Sequence, residues 1–153
     1  MKTKNLTQQK PVMLRVKEKK IEAPGYATLF FKYCLPFSPG QFIMIWIPGL
    51  DEKPYTISHH SEESFAITVE AKGIFSNKLL TLEKGDLVGI RGPFGRGFDI
   101  YPEKKAAVVA GGCGMAPVAT LLERLPTDTV VIHGARTREL ILFPERFSFQ
   151  QEL

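Results

Sequence analysis

Short apolar runs separated by turn-forming residues fill the first hundred residues. FIMIWI (42–47) is a continuous apolar run suited to a buried strand, and in SFAITVE (64–70) apolar and polar residues alternate. Four further strands are predicted over 11–17, 26–32, 55–58 and 86–91, and one helix over 76–85. Ser76 is the predicted cap of that helix and Gly85 ends it. Six short strands and one helix predict a small antiparallel β-barrel.

The pattern changes near residues 101–105. An apolar strand (106–110), the glycine loop AGGCGMAP (110–117), a helix (117–125) and a second apolar strand (129–133) follow in order. This alternation is typical of the start of a parallel α/β sheet. Since only 36 residues follow Pro117, we expect an incomplete, Rossmann-like half-domain. The predicted class is mainly β, with a barrel domain over 1–102 and a partial α/β domain over 103–153.

So short an α/β unit cannot cover both faces of a parallel sheet. We therefore expect exposed strand edges and apolar surface after Lys104, and ELILFPERFSF (139–149) is apolar enough to need a partner surface. The sequence predicts a homo-oligomer joined through this region. A disordered or proteolysed tail is the alternative.

The net charge of +4 is not taken as a sign of nucleic-acid binding, because it is concentrated at one end. Residues 1–20 carry seven Lys and Arg against one Glu, whereas the rest carry 13 bases and 15 acids. We interpret the basic stretch as a solvated tail. The uncharged stretch 106–122 is shorter than a membrane helix and is interrupted by glycines and a proline. No membrane span is predicted.

Two cysteines, Cys34 and Cys113, are too few for a disulfide framework or a four-cysteine metal site. No metal site and no iron–sulfur cluster are therefore predicted in this chain. Residues 1–20 also lack the apolar core of a signal peptide. Together these features predict a cytoplasmic protein.

The glycine loop is one candidate binding site. Gly111, Gly112 and Gly114 let the backbone turn sharply and approach a ligand, and the next helix offers unpaired N–H groups to an anion. Pro117 suits the first turn of that helix. A tight strand-to-helix turn that binds nothing is the alternative, because one glycine-rich loop is weak evidence.

GIFSNKLL (73–80) is a second candidate binding site, for the same physical reasons. Gly73 frees the turn, and residues 74–76 begin a helix whose N–H groups and Ser76 hydroxyl are suited to phosphate. A capped helix with nothing bound is the alternative.

KPYTIS (53–58) is the third candidate. Tyr55 offers a flat face for stacking, Thr56 and Ser58 offer hydroxyls, and Lys53 offers a cation. An ordinary half-buried strand is the alternative when this segment is taken alone.

Taken in order, five segments resemble the ferredoxin–NADP reductase superfamily: PGQF, KPYTIS, GIFSNKL, GDLVGIRGPFGRGF and AGGCGMAP. Members pair an FAD-binding barrel with an NAD(P)-binding α/β domain. The stretch PGQFIMIWIPGLDEKP (39–54) is most similar to the electron-transfer subunits of dihydroorotate dehydrogenases, which are iron–sulfur flavoproteins. The resemblance covers about residues 12–143.

The resemblance implies FAD as a cofactor and NAD(P) as a second candidate cofactor. The implied cofactor-binding residues are Lys53, Pro54, Tyr55, Thr56, Ile57, Ser58, Gly73, Ile74, Phe75, Ser76, Gly111, Gly112, Gly114 and Met115. Tyr55 would lie against the isoalloxazine ring and Thr56 near its N5 edge. Lys53, at a position where many members have arginine, would face the FAD pyrophosphate together with the turn at residues 73–76.

The implied function is FAD-dependent electron transfer between NAD(P)H and a partner, which is a catalytic or electron-accepting protein subunit. No residue is assigned as a catalytic acid or base, and His59 and His60 are interpreted as surface histidines. The family's Cys-Gly-Pro motif and the four cluster-binding cysteines do not occur here. A flavin-binding module without its own NAD(P)H activity, completed by another chain, is therefore the alternative. A fragment, a split-gene product and a truncated paralogue all remain open.

Overall fold

The computed structural model describes residues 10–101 and 103–147. In these ranges the strands are β1 (Val12–Ala23), β2 (Tyr26–Lys32), β3 (Phe42–Ile47), β4 (Asp51–His60), β5 (Ser64–Glu70), β6 (Leu87–Phe94), β7 (Ala107–Gly111) and β8 (Val130–Gly134). The α-helices are α1 (Ile74–Leu80) and α2 (Met115–Leu122), and short 3₁₀ turns cover Gly112–Gly114 and Arg138–Leu140.

Strands β1–β6 form a closed antiparallel barrel in the order β1-β2-β5-β4-β3-β6. Every strand of this barrel has two hydrogen-bonded neighbours, so none has an open edge. Buried aliphatic and aromatic side chains fill the interior, and the rings of Phe31 and Phe65 stack at 5.3 Å. The predicted barrel is confirmed.

Two burial patterns differ from those that the sequence predicts. In β3 burial alternates, because Ile43, Ile45 and Ile47 point into the barrel while the residues between them are partly exposed. In β5 the five residues 65–69 are all buried. The reason is that α2 packs against the outer side of β4, and the turn at Gly112–Gly114 contacts β5.

The helix α1 starts earlier and ends earlier than predicted. Gly73 is its N-cap, so Ser76 is the third helical residue and not the cap. The helix ends at Leu80, and the chain turns through Gly85, whose φ is +101°. A positive φ favours glycine, which explains the residue at this turn.

Strands β7 and β8 form a separate two-stranded parallel sheet, with Ala107 opposite Val130 and Gly111 opposite Gly134. The helix α2 lies between them in sequence and also packs on β4. The alternate residues Val109, Val130 and Ile132 are exposed on this sheet. The structure thus has the exposed apolar surface expected after Lys104.

The apolar segment near the C-terminus differs from the expectation. Leu142 and Phe143 are buried in a second cluster with Ala23 and Tyr26 of the barrel and Met115 of α2. Up to Phe147, the segment therefore finds its apolar partner within the chain. Residues 148 and 149, which also belong to the predicted apolar segment, and residues 1–9 of the basic stretch lie outside the described residues.

Neither a membrane-spanning helix nor a metal-binding cluster is found in the described part of the chain. Residues 10–101 and 103–147 contain no helix long and apolar enough to cross a membrane. The same residues contain no group of three or more His, Cys, Asp or Glu side chains placed to hold a metal ion.

Candidate cofactor-binding grooves

A groove of about 950 Å³ lies between β4 and the start of α1, and we call it the first groove. It brings together two segments that are distant in sequence. Eight of the predicted site residues line it: Lys53, Pro54, Tyr55, Thr56, Gly73, Ile74, Phe75 and Ser76. Phe42, Leu50, Thr68 and Ala116 are among its other lining residues.

Aromatic rings form one wall of the first groove. The rings of Tyr55 and Phe75 are nearly parallel, with centroids 6.3 Å apart and planes 24° apart. Burial raises the pKa of Tyr55 to about 12, so the phenol is neutral at physiological pH. The Lys53 ammonium lies 2.6 Å from the Asp51 carboxylate at the exposed rim. The groove therefore combines a flat apolar surface with a partly neutralised cation.

The turn before α1 is held by Ser76. Its hydroxyl oxygen accepts hydrogen bonds from the backbone N–H groups of Lys72 (2.9 Å) and Gly73 (3.0 Å) and donates one to the Gly73 carbonyl oxygen (3.1 Å). Gly73 has an extended φ of −162°, which any residue can adopt, and an added Cβ would have no atom within 4 Å. The hydroxyl thus stabilises the turn, and the side of the turn at Gly73 is open to a ligand.

Ile57 and Ser58 lie outside the first groove. Ile57 is part of the barrel core. Ser58 is fully buried, and its hydroxyl accepts a hydrogen bond of 2.8 Å from Thr68. Strand β4 therefore leaves the groove after Thr56.

A second groove, of about 720 Å³, lies between the glycine loop, the end of β8 and the β1–β2 turn. Gly111, Gly112 and Gly114 line this groove, and so does Arg136. Met115 is fully buried in the cluster under α2 and lines neither groove.

The two grooves share a wall made of Glu70, Lys72 and Cys113. Burial raises the pKa of Glu70, but hydrogen bonds from Lys72 and Tyr26 outweigh burial, and the net effect lowers it. The Lys72 ammonium lies 2.8 Å from the Glu70 carboxylate. Burial, followed by the charge of Glu70, raises the pKa of Cys113 to about 11, so its thiol is protonated at neutral pH.

The sequence did not predict Glu70 or Tyr26 as site residues. Burial and the hydrogen bond to Glu70 raise the pKa of Tyr26 to about 12, which keeps its hydroxyl protonated. Glu70 belongs to the shared wall and Tyr26 lines the second groove beside it, because β2 pairs with β5 and Tyr26 is directly opposite Glu70. No local pattern distinguishes them from other strand residues.

The interpretation of His59 as a surface histidine is wrong. Its ring is half-buried, with the ring centroids of Phe30 and Phe143 each 5.2 Å away. Burial and the positive charges of Arg146 and Lys20 lower the pKa of His59 to about 3. His60 donates from Nε2 to the Leu35 carbonyl oxygen at 2.8 Å. Neither histidine lines either of the two grooves.

Comparison with known proteins identifies relatives of this chain, although no family model matches the sequence. A probable dihydroorotate dehydrogenase B (NAD(+)) electron transfer subunit of Methanocaldococcus jannaschii is 42% identical over 142 residues, which are 91% of this chain and 53% of that protein. The protein of the same name from Pyrococcus abyssi is 45% identical over 106 residues, which are 69% of this chain and 41% of that protein. The chain is a homologue of these electron-transfer subunits. It spans about half the length of the curated relatives it matches.

Solved structures share the fold at lower identity. The flavohem-like FAD/NAD-binding domain of nitric oxide dioxygenase from Vibrio cholerae is similar at a TM-score of 0.79 and 21% identity, over 90% of this chain and 68% of that one. Phthalate dioxygenase reductase is similar at a TM-score of 0.79 and 18% identity, over 93% of this chain and 49% of that one. The curated relatives confirm the resemblance to electron-transfer subunits of dihydroorotate dehydrogenases, whereas these solved structures show a shared fold.

Proposed function

We propose that this chain supplies the FAD-binding barrel and the first part of the NAD-binding unit of an electron-transfer subunit. The subunit passes electrons between NAD(P)H and a catalytic partner protein, as the words "electron transfer subunit" in the relatives' names suggest. We place this function in the cytoplasm. The observation that carries the proposal is the shared wall of Glu70, Lys72 and Cys113. Ligands in two grooves with a common wall lie next to each other, as electron transfer between them requires.

The first groove fits FAD in its chemistry. Its volume lies within the range of about 300–1,000 Å³ that is usual for small-molecule sites. Tyr55, Lys53 and Gly73 all line the groove. Tyr55 would offer the stacking surface for the isoalloxazine ring, while Lys53 and the open side of Gly73 would face the pyrophosphate. When bound, FAD accepts a hydride and releases electrons singly. The residues of this chain bind it, orient it and exclude water from one of its faces.

The second groove is proposed for the pyrophosphate of NAD, which the relatives' names include. Gly111, Gly112 and Gly114 keep the loop free of side chains that would block a close approach of phosphate. Arg136, which also lines this groove, supplies a cation. The division into domains at residues 102 and 103 and the role of Met115 in the cofactor site stay predictions.

The alternative function is a flavin-binding module that another chain completes. The β7–β8 sheet favours this alternative, because among the described residues it has two strands and an exposed apolar face. A partner that covers this face would also complete the second groove. Adding NADH anaerobically to the FAD-loaded protein separates the two functions: loss of the flavin's visible absorbance supports the first, and an unchanged spectrum supports the alternative.

Reconstitution with FAD tests the first groove. We expect Gly73→Glu to weaken FAD binding at least about tenfold, because like charges a few ångströms apart near a protein surface repel by a few kcal/mol. Gly73→Gln is the matched control, since it has the same shape without the charge. The open space around Gly73 lets both variants fold. Equal affinities of the two variants would reject the placement of the pyrophosphate, and a colourless wild-type protein would reject FAD binding.

A further inference from the structure

Strand β4 has an irregularity just beyond the first groove. In its pairing with β5, Ile57 is opposite Ile67 and His59 is opposite Ala66, so Ser58 is the extra residue of a β-bulge. A bulge takes backbone groups out of the regular ladder, and buried groups of this kind need other partners. Those partners come from residues that follow the barrel.

Two side chains from the second unit bind the backbone of β4 at this bulge. The Thr120 hydroxyl on α2 donates to the Ile57 carbonyl oxygen at 3.5 Å. Arg146 donates from Nη1 to the Ser58 carbonyl oxygen at 2.7 Å. The same guanidinium donates from Nε and Nη2 to Glu123 Oε1, at 3.1 and 2.6 Å. Arg146 therefore links β4 to the residue at the C-terminal end of α2.

Aromatic packing holds Arg146 in this position. Its guanidinium lies 5.6 Å from the ring centroid of Phe143 and 5.0 Å from that of Phe147. Phe143 is buried, with the ring of His59 against it, and its φ is +58°. A non-glycine residue adopts such a φ at a cost in free energy, and this conformation persists where the surrounding packing enforces it. We call Arg146, Glu123 and Phe143 the clasp.

We propose that Arg146 is a positioning residue: it fixes the course of β4 at Ser58 and thereby the placement of Tyr55 in the first groove. The role rests on the proposed function, because it concerns FAD binding. Arg146 lines neither groove and acts through the backbone of β4, three residues beyond Tyr55. The helix α2 begins directly after Gly114 of the second groove, and Glu123 is its C-cap. The clasp thus ties the strand of one groove to the helix of the other.

Replacing Arg146 by Met tests the clasp, because Met keeps an unbranched apolar side chain but removes every donor. We expect about tenfold weaker FAD binding, the effect of losing one charge-assisted hydrogen bond to a buried carbonyl, and weaker quenching of flavin fluorescence. Arg124→Met is the matched control, since Arg124 is exposed and the charge change is the same. Glu123→Gln leaves the bond to Ser58 in place, so we expect a smaller loss of about threefold.

Hydrogen exchange of the cofactor-free protein supplies a readout that does not depend on FAD. We expect Arg146→Met to speed exchange of the β4 amides about tenfold and to leave β1 and β2 unchanged. A uniform increase across the barrel would overturn the proposal, as would faster exchange in β4 with unchanged FAD affinity. If the wild-type protein binds no FAD, the proposed function fails and the cofactor role of Arg146 fails with it. Faster exchange confined to β4 in Arg146→Met would then still show that the clasp holds the backbone of β4.

Discussion

The barrel and the β7–β8 sheet are built from the same kinds of residue but are stabilised differently. In the barrel, six strands close on themselves, and both Phe31 and Phe65 are excluded from water by the chain's own strands. In the β7–β8 sheet, one side packs toward α2, while Val109 remains 73% exposed and Ile132 54% exposed. Closure makes the barrel independent of other surfaces, whereas the smaller sheet depends on what it contacts.

The same difference separates the two grooves. The first groove is formed mainly by β4, β5 and α1, and closed barrel strands supply half of its lining residues. The second groove is formed by the loops that follow β7 and β8 together with the β1–β2 turn and the end of β5. Since parallel strands are normally buried on both faces, we expect the second groove to respond to a partner surface more strongly than the first.

The largest predicted effect is in the barrel core. Phe31→Ala removes a ring that stacks on Phe65 and leaves a cavity, so we expect a loss of about 3–5 kcal/mol in the free energy of unfolding. Urea unfolding followed by tryptophan fluorescence reports on the barrel, because Trp46 lies in β3. A loss below about 1 kcal/mol would show that the barrel core is less closely packed than its burial indicates.

Most of the barrel could be predicted from the sequence, because turn residues mark where each strand ends. The exceptions are β1, which continues to Ala23 beyond the predicted end at residue 17, and β4, which begins at Asp51 and pairs Pro54 with Met44. Residues 48–54 look like a turn in sequence because proline is rare within strands. The burial of β5 on both faces could not be predicted, since α2 and its preceding turn, which cover that side of the barrel, lie more than forty residues later.

The candidate site was predictable where its residues are local in sequence. KPYT and GIFS each have a physical reason to face a ligand, and the first groove contains both. The shared wall was not predictable, because Glu70 and Lys72 meet Cys113 only through the packing of the second unit on the barrel. The clasp was missed for the same reason, since Arg146 follows Ser58 by 88 residues.

The second prediction concerns Leu142, which is as well buried as Phe31 but lies at the seam between the two regions. We expect Leu142→Ala to lower stability by about 2–4 kcal/mol locally. Hydrogen exchange should become faster in β7, β8 and α2 and stay slow in β2 and β5. Equal acceleration in the barrel strands would mean that the two regions unfold as one cooperative unit.

The third prediction concerns how stability depends on pH at the same boundary between the two regions. His59 has a folded-state pKa of about 3, below the ordinary value of 6.5, so the unfolded chain binds a proton that the folded chain does not. The stability that neutral His59 contributes is therefore fully present above pH 6.5, and it falls as the pH decreases toward 3. The slope is at most about 1.4 kcal/mol per pH unit and is reduced by partial exposure of the ring.

We expect His59→Phe, which keeps an aromatic ring between Phe30 and Phe143, to remove part of this pH dependence. Thermal unfolding of both proteins between pH 7.5 and 4.5 measures the difference, and the comparison at pH 7.5 controls for changes in packing. Parallel pH profiles for the wild type and the variant would show that another group causes the loss of stability in acid.

The smallest effect on stability is expected on the exposed face of the β7–β8 sheet. Val109→Ser and Ile132→Ser remove side chains that water already contacts, so each should change the stability of an isolated chain by no more than about 0.5 kcal/mol.

The effect of these two substitutions on association should be larger. Burial stabilises by about 25 cal/mol per Å², and a face of a few hundred Å² contributes several kcal/mol to a dimer. We therefore expect the double variant to be monomeric under conditions where the wild type associates. Ile21→Ser is the matched control, since Ile21 is 66% exposed on the barrel strand β1 and should leave association unchanged. Light scattering at several concentrations decides between these outcomes. A wild-type protein that stays monomeric throughout would exclude self-association through this face and favour a different chain as its partner.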